Sequence, residues 1–370
     1  MRHQETILSF ILPVACSRIG RSFISSSTTA VYGVLISTRL QQFRHSMMQL
    51  LCLLLSALIG LSVQQCDPKT CFIPNCRCYN DRSPPGGLTM SETPQIVMVS
   101  FEGTINTENI KSYRPIFSGV TNPNNCPARG TFFIEDSGTD YEIVKELSDD
   151  GHEIGITSVD GNAPTTPDGW IDMIKKMLSQ LVGYGIDVKN VKGVRALPGG
   201  DYELTGISRN EMLYDSSCSN AGLSTAGTLT WPYTFDYMPT ARCDNGKEPT
   251  SRFPGKWEVP VADLHDISGE KLPCPVPTAC RNITTKKDAF DLFFKAFSDH
   301  YNGNRTPFLM IVDTAWASKQ DLRDGTTEFL QYIRTAFGEN VWIVPILRAL
   351  QWIQTPVPIA KLTTFAPWQC

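Results

Sequence analysis

The chain has 370 residues, a formal charge of −4 and 41% apolar residues, which is typical of a globular protein with one large domain or two small ones. No basic patch indicates nucleic-acid binding, and the mild acidity indicates solubility only. One long apolar run, MQLLCLLLSALIGLSV at 48–63, ends with the small residues Gly60 and Ser62, which suit a cleavage site. Because this run is shorter than a membrane span, it predicts a signal peptide at about 47–62.

The predicted signal peptide divides the chain into a leader, 1–62, and a mature part. Residues 1–46 show no clear periodicity, and we interpret them as an alternative start or a mispredicted first exon, with a signal anchor as the alternative. Residues 63–93 are rich in Cys, Pro and Gly and are too short to form a core alone. Residues 94–370 are expected to form the main domain. We therefore expect a secreted, extracellular protein with no membrane contact once it is processed.

The cysteines agree with export. The chain has 12, two of them in the leader, so that ten remain, and an even number after a signal peptide predicts a disulfide framework. Zinc ligation by Cys71-x4-Cys76-x-Cys78 is the alternative, although the spacing is poor for a zinc knuckle. Asn282-Ile-Thr284 and Asn304-Arg-Thr306 are acceptor sequences of a glycoprotein, and Pro307 disfavours the second.

Strand and helix patterns alternate along the main domain. Predicted strands cover 96–101, 130–134, 153–156, 191–194, 308–312 and 341–344, and predicted helices cover 110–117, 141–149, 170–184, 286–301, 326–337 and 349–353. Residues 215–277 form a long irregular stretch rich in Cys, Pro, Trp and Tyr. Alternation of this kind predicts an α/β protein with a parallel sheet or barrel.

The first predicted strand, 96–101, marks the expected site. It is a buried apolar run that is followed by the polar turn Glu102-Gly103. Because α/β proteins place their chemistry at the carboxyl ends of parallel strands, this turn is the expected position of an active site.

Several segments, in the same order along the mature chain, carry a family resemblance. They are CDPKTCFIPNCRC, PGGLTMSETPQIV, NPNNCPARGTFFI, GHEI, WPYTFDY, NITTKKDAFDLFFKAFSDHYNGNRTPF, TAW, LQWIQTP and FAPWQC. With them the chain resembles the polysaccharide deacetylases with a NodB homology domain, carbohydrate esterase family 4, and more narrowly the chitin deacetylase-like proteins of invertebrates. The resemblance implies a distorted (β/α) barrel of the NodB type with fewer than eight strands, a short N-terminal disulfide-rich segment, and a groove at the strand carboxyl ends.

The resemblance also implies a metal-dependent hydrolysis of C–N amide bonds. Active relatives hold zinc with one Asp and two His, a neighbouring Asp acts as base, and a His on a later strand acts as acid. The metal lowers the pKa of its bound water and polarises the amide carbonyl. In this chain, Glu102 occupies the base position, so a carboxylate is kept there, whereas Gly103 occupies the position of the ligand Asp.

The remaining catalytic positions of the family are also changed. Thr157 and Gly161 stand where the family has its two His ligands, and Ile311 stands where it has the catalytic acid. A zinc site needs about three protein ligands. We therefore predict no metal or other cofactor and interpret the protein as a pseudoenzyme; a divergent but active N-deacetylase is the alternative.

The residues that would line the groove are kept. By resemblance they are Arg195, Asp215, Trp231 and Tyr233, and a cluster of aromatic residues around 231–257 suits stacking against the apolar faces of sugar rings. Core packing is an equally good interpretation for any one aromatic residue. The expected partner is chitin or a related polysaccharide.

Two further possibilities concern residual chemistry. Glu102, Asp160 and Asp313 are carboxylates near the site that could bind calcium or manganese, although solvated loop acids are the better interpretation. Glu102 and Asp313 could alternatively act as acid and base without a metal. Neither His265 nor His300 has a ligand partner at a useful spacing, and we expect His152 to be a structural hydrogen-bonding residue.

Overall fold

The computed structural model describes residues 47, 66–159, 161–195, 200–219, 229–238, 249–262, 264–267, 273–274 and 276–370. The fold described below is that of the unit Gln65–Cys370. Apart from Met47, the predicted signal peptide lies outside the described residues, as do Asp160 and Cys243. No helix in the described part of the chain has the length and hydropathy needed to cross a membrane.

A curled, mostly parallel sheet organises the fold. The strands are β1 (Gln95–Gly103), β2 (Thr131–Ile134), β3 (Glu153–Ile156), β4 (Gly193–Val194), β5 (Tyr214–Asp215), β6 (Tyr233–Phe235), β7 (Phe253–Glu258), β8 (Leu264–His265), β9 (Pro273–Cys274), β10 (Phe308–Val312) and β11 (Val341–Ile343). Within the described residues, nine of these strands form one sheet. Eight follow the order β10-β1-β2-β3-β4-β5-β7-β6, and the ninth, β11, pairs with β1. Only β6 runs antiparallel in this sheet, and β8 and β9 form a separate antiparallel pair. After β7 the chain returns to the first strand of this order, where Ala262 N–H donates to Leu309 C=O of β10. The sheet is therefore curled like a distorted barrel.

The two faces of the sheet bury different sets of residues. On β1, Val97, Val99 and Phe101 pack outward in the core that the helices cover, whereas Ile96 and Met98 face the barrel interior. This alternation follows from the two-residue period of a strand. Both faces are apolar because helices cover one and the barrel closes over the other, as expected for a parallel sheet.

Helices connect the strands and cover the sheet. They are α1 (Asn109–Tyr113), α2 (Tyr141–Asp149), α3 (Pro167–Gly183), α4 (Asp201–Arg209), α5 (Lys286–Asn302), α6 (Thr314–Ala317), α7 (Gln320–Phe337) and α8 (Ile346–Gln354). Polar caps set the start of several. Asp140 accepts from Glu142 N–H at α2, and Thr285 and Asp288 form a reciprocal capping box at α5.

The disulfides confirm an oxidised cysteine framework. Cys66–Cys78 and Cys71–Cys76 lie inside the N-terminal segment, Cys126–Cys370 links the connection before β2 to Cys370, and Cys274–Cys280 closes a short loop. Cys218 is disulfide-bonded as well. The alternative of zinc ligation by Cys71, Cys76 and Cys78 is wrong, because these sulfur atoms are paired with cysteines. Since both N-terminal disulfides are internal, hydrogen bonds such as Thr234 N–H to Arg77 C=O attach this segment to the sheet.

The expected (β/α) barrel is confirmed, but the expected number of strands, fewer than eight, is wrong. Part of the irregular stretch supplies the additional strands, since β6 and β7 extend the sheet beyond β5. The strand predicted at 191–194 is shorter, Gly193–Val194. The helix predicted at 326–337 begins earlier, at Gln320, and helix α4 was not predicted.

Candidate functional site

Glu102 lies at the carboxyl end of β1, beside the end of β2, where Glu102 pairs with Phe133 in the strand register. Its side chain is partly buried and makes no hydrogen bond to another described residue. Burial raises the pKa of Glu102, the Arg195 guanidinium acts against this, and the carboxylates of Glu135 and Asp313 add to the rise. The site therefore retains one carboxyl group that could accept a proton or a hydrogen bond.

Gly103 ends β1 with a φ of 113°, in a conformation that residues with a side chain rarely adopt. A Cβ built at this position would meet nothing within 4 Å, so the space for a side chain is present. The position assigned by resemblance to a metal-binding Asp thus provides neither a donor atom nor a backbone that readily accepts an L-residue.

The positions assigned to the two His ligands follow β3. Thr157 is buried, and its N–H donates to the carbonyl of Ile134, continuing the sheet ladder. Ser158 Oγ accepts from Gly161 N–H at 2.8 Å, which fixes the turn. Gly161 has a φ of 79°, and a Cβ built on it would lie 3.8 Å from Glu135 Oε1. Glu135 therefore extends towards the space that a side chain at 161 would enter.

The side chains of this site do not fit a zinc ion. Ile311 is buried and belongs to the apolar barrel interior. Across the described residues, the only three Cys, His, Asp or Glu ligand atoms that converge within 4.8 Å are those of Cys66, Cys71 and Cys78, and these three cysteines are in disulfides. Glu102, Glu135 and Asp313 face the site without converging in this way.

Asp313 is held by structural hydrogen bonds. Its Oδ1 accepts from Trp316 N–H at 2.7 Å and caps α6, and its Oδ2 accepts from Thr278 Oγ1–H at 2.7 Å. The next residue, Thr314, is hydrogen-bonded to Tyr113 Oη at 2.6 Å. Both oxygens of Asp313 thus take part in local structure, and its role as a calcium or manganese ligand stays untested. The third carboxylate of that alternative, Asp160, lies outside the described residues.

Arg195 lies inside the barrel beneath Glu102. Its Nε donates to Ser216 C=O at 2.9 Å, Nη1 to Ser100 Oγ at 2.8 Å and Nη2 to Ser216 Oγ at 3.0 Å. The guanidinium also lies 4.2 Å from the ring centroid of Phe133. Burial lowers the pKa of Arg195, and Glu102 is the main group that raises it. Arg195 therefore forms the floor of the site and offsets part of the charge of Glu102.

Asp215 belongs to a buried group of three carboxyls. It lies on β5 with Glu203 of α4 and Glu258 of β7, and Ser217 Oγ–H donates to Asp215 Oδ1. Burial raises the pKa of all three acids, and the charge of Asp215 and its hydrogen bonds raise the pKa values of Glu203 and Glu258 further. Asp215 thus lies beneath the surface, and its predicted contact with a glycan stays a prediction.

Trp231 and Tyr233 are also buried. Trp231 packs in the barrel-interior core, with its ring 6.4 Å from that of Trp352 and the Arg77 guanidinium 5.4 Å away on its face. Tyr233 contacts Tyr79 edge to face. Their burial favours a supporting role, and direct contact with a sugar stays a prediction.

Structural hydrogen bonds hold His152 and His300. Gly130 N–H donates to His152 Nδ1, and Thr306 lies 3.0 Å from His300 Nδ1. Burial lowers the pKa of His152 to about 3 and that of His300 to about 4, so both rings are neutral. His265 is on β8.

Two residues near the carboxyl edge of the sheet were not selected from the sequence. Glu135 follows β2 directly, and its position after a predicted strand was a usable signal. Tyr202 is in the first turn of α4, which follows β4, so it lies at the carboxyl edge of the sheet. Its side chain is 51% exposed. Because helix α4 was not predicted, Tyr202 could not be selected from the sequence pattern.

No protein-family model matches this chain. Chitin deacetylase 8 of Bombyx mori is 30% identical over 329 residues, and the match covers 84% of each chain. Chitin deacetylase 1 of Bombyx mori is 30% identical over 324 residues, which cover 82% of this chain and 59% of that relative. The solved structure of Puue allantoinase has a TM-score of 0.51 at 11% identity and covers 79% of this chain and 99% of that chain.

The likeness to the allantoinase concerns the fold alone, because its sequence identity is low. The match to chitin deacetylase 8 extends over more than four fifths of both chains. This chain therefore belongs to the chitin deacetylase family.

Proposed function

We propose that this protein is a secreted, non-catalytic member of its family that binds chitin or a related N-acetylated glycan. The observation that carries the proposal is Gly103, which ends β1 without a donor atom where the family resemblance places a metal ligand. Thr157, Gly161 and Ile311 support the same conclusion, because none of them offers the imidazole that an active relative has at that position.

The chemistry of amide cleavage requires more than the remaining Glu102 supplies. An amide is a poor electrophile, and a metal normally both polarises its carbonyl and activates the attacking water. The leaving amine also needs a proton, which Ile311 cannot give. A single carboxyl group with a raised pKa is therefore insufficient for deacetylation.

The carboxyl edge of the sheet remains suited to binding a sugar. Tyr202 exposes an aromatic ring there, and sugar rings stack on such faces through their apolar C–H surfaces. Glu102 and Glu135 add hydrogen-bond acceptors to the same edge. We propose that Tyr202 stacks on a sugar ring of the bound glycan.

Metal analysis and an acetate assay on the purified, secreted protein test the non-catalytic role. We expect substoichiometric zinc and no acetate release from N-acetylglucosamine oligomers when zinc, calcium or manganese is added. Stoichiometric zinc together with turnover would support the alternative, a divergent but active N-deacetylase. Mass spectrometry of the secreted N-terminus tests export, with cleavage after Ser62 as the expected result.

Sedimentation with chitin beads tests the binding role, with cellulose beads as the negative control. Tyr202→Ala is expected to weaken binding about fivefold, the loss of about 1 kcal/mol of ring stacking. Tyr332→Ala is the matched control, since Tyr332 is a similarly exposed ring, 45%, on the outer helix α7. Equal binding by both variants would rule out Tyr202 as a contact, and no binding by the unmodified protein to any N-acetylated glycan would refute the binding role.

A further inference from the structure

A second cavity lies at the opposite edge of the sheet, where β2 and β3 begin. It has a volume of about 490 Å³, and we call it the basal pocket; Arg114, Phe117, Arg129, Phe132 and His152 define it. Pockets of about 300–1,000 Å³ with apolar walls and a few polar groups are typical of small-molecule sites. The basal pocket has this composition, and it is independent of the proposed glycan-binding edge.

His152 presents a fixed hydrogen-bond donor to the basal pocket. Its Nδ1 accepts from Gly130 N–H at 3.0 Å, so the proton of the neutral ring is on Nε2. The ring is held between Phe117 and Phe132, with centroid distances of 5.3 and 5.2 Å. Its Nε2 makes no hydrogen bond to another residue in the described part of the chain. The donor is therefore oriented by the protein and available to a ligand.

Arg129 brings a cation without an ionic partner. Its Nε donates to the carbonyl of Asp150 and its Nη1 to the carbonyl of Ala128, both backbone groups. No carboxylate lies within ion-pair distance of Arg129 among the residues that the structure describes. Partial burial lowers the pKa of Arg129, although the guanidinium stays charged. Its Nη2 has no acceptor in the described chain, so part of the guanidinium fork remains available.

The other charged groups are the Arg114–Glu146 ion pair and Asp150, so that Asp150 offsets part of the charge of Arg129. Arg114 forms an ion pair with Glu146, and both side chains are largely exposed. Asp150 also lines the basal pocket and acts on Arg129 at longer range. The basal pocket therefore offers a ligand one guanidinium with free donors and one neutral imidazole N–H. These groups can neutralise one negative charge on the ligand, but not two. A carboxylate can accept from both donors at once.

We propose that the basal pocket binds a small organic carboxylate. Its carboxylate accepts hydrogen bonds from Arg129 and from His152 Nε2–H. Its flat apolar body packs against Phe117, Phe132 and Leu147, which line the same cavity. This is a ligand site of its own, distinct in position and in chemistry from the edge that carries Glu102.

A titration of the intact protein with 4-fluorobenzoate, followed by fluorine NMR, tests the proposal. The neutral isostere 4-fluorobenzamide is expected to bind about tenfold more weakly, because it lacks the charge-assisted hydrogen bonds. 4-Fluorophenyl phosphate tests the preference for a single charge. If the benzamide binds as tightly as the benzoate, or the phosphate binds more tightly, the proposal is overturned.

Variants and crystallography locate the ligand. Arg129→Gln is expected to weaken 4-fluorobenzoate binding about tenfold or more, whereas Arg209→Gln, an exposed arginine on α4, serves as the matched control with unchanged binding. Because Arg129→Gln also loses backbone contacts, a soak with 4-bromobenzoate provides a test that needs no variant. A bromine anomalous peak in the basal pocket would support the site, and unaltered affinity in Arg129→Gln or a peak elsewhere would refute it.

Discussion

Replacing Glu153 with Gln removes a buried carboxyl group while nearly keeping its shape. Glu153 begins β3 and points into the barrel, where it accepts from Thr131 Oγ1–H at 2.8 Å, Tyr214 Oη–H at 2.7 Å and Leu347 N–H at 2.8 Å. Burial raises the pKa of Glu153 to about 7, even though these three donors lower it. The folded protein therefore holds a proton that the unfolded chain releases near pH 4.5.

The pKa difference gives the expected size and sign of the effect. A rise from 4.5 to about 7 corresponds to about 3 kcal/mol, since one unit is about 1.4 kcal/mol. Because the pKa is raised in the folded state, this stability is fully present below pH 4.5 and is lost as the pH rises through 7. Glu153→Gln cannot ionise, so this part of the pH dependence should disappear in the variant.

Urea unfolding followed by tryptophan fluorescence measures the free energy of unfolding of both proteins from pH 4.5 to 8. The chain has seven tryptophans, which provide the signal. His152 and His300 have lowered pKa values, so they reduce the free energy of unfolding as the pH falls below 6.5. Because both proteins contain these histidines, the difference between the two curves isolates the effect of Glu153. Glu339→Gln removes an equal charge from the surface as a control. Parallel curves for Glu153→Gln and the unmodified protein would refute the reasoning.

Two other substitutions and one glycan-mapping measurement have definite expected outcomes. Gly103→Asp should release no acetate from N-acetylglucosamine oligomers, because three further catalytic positions remain changed, and turnover would contradict the pseudoenzyme proposal. Because the backbone at position 103 has a positive φ, the variant should also lower the free energy of unfolding by about 1–3 kcal/mol. Gly193→Ala should lower the free energy of urea unfolding by about 1–3 kcal/mol, because the added methyl would overlap the ring of Tyr214; unchanged stability would contradict the packing. Peptide mass spectrometry should find a glycan on the exposed Asn282 and none on Asn304. Asn304 is 8% exposed, and its side-chain amide donates to two backbone carbonyls. A glycan on Asn304 would contradict this burial.

The sequence predicted the regular elements where periodicity and caps agree. Helix α2, strand β3 and strand β10 have the predicted bounds, since each has a clear apolar pattern between polar turns. Strand β7 was missed because Pro254 and Gly255 interrupt it, and both residues are uncommon inside strands. Such a strand forms only because tertiary pairing with β5 and β6 overrides local preference.

The sequence indicated the position of the expected site but not the orientation of its side chains. Glu102 and Gly103 were predicted to form a turn after the first strand, which is wrong, because β1 extends to Gly103. That this end of β1 carries the site stays a prediction. The burial of Arg195, Trp231 and Tyr233 was not predictable, since a motif position does not say which face of a strand a side chain occupies. The irregular stretch also hid the pairing of Asp215 with Glu258, because these residues are far apart in the chain.

The contacts that hold Arg195 do not use the changed catalytic positions, which explains how the barrel floor can persist without them. Arg195 contacts Ser100, Ser216 and Phe133, and none of these three is a changed position. Gly103 is the last residue of β1, and a Cβ there would touch nothing within 4 Å. No core contact depends on a side chain at that position. Replacement of a metal ligand there can therefore abolish chemistry while the scaffold, and the edge proposed to bind glycan, remain intact.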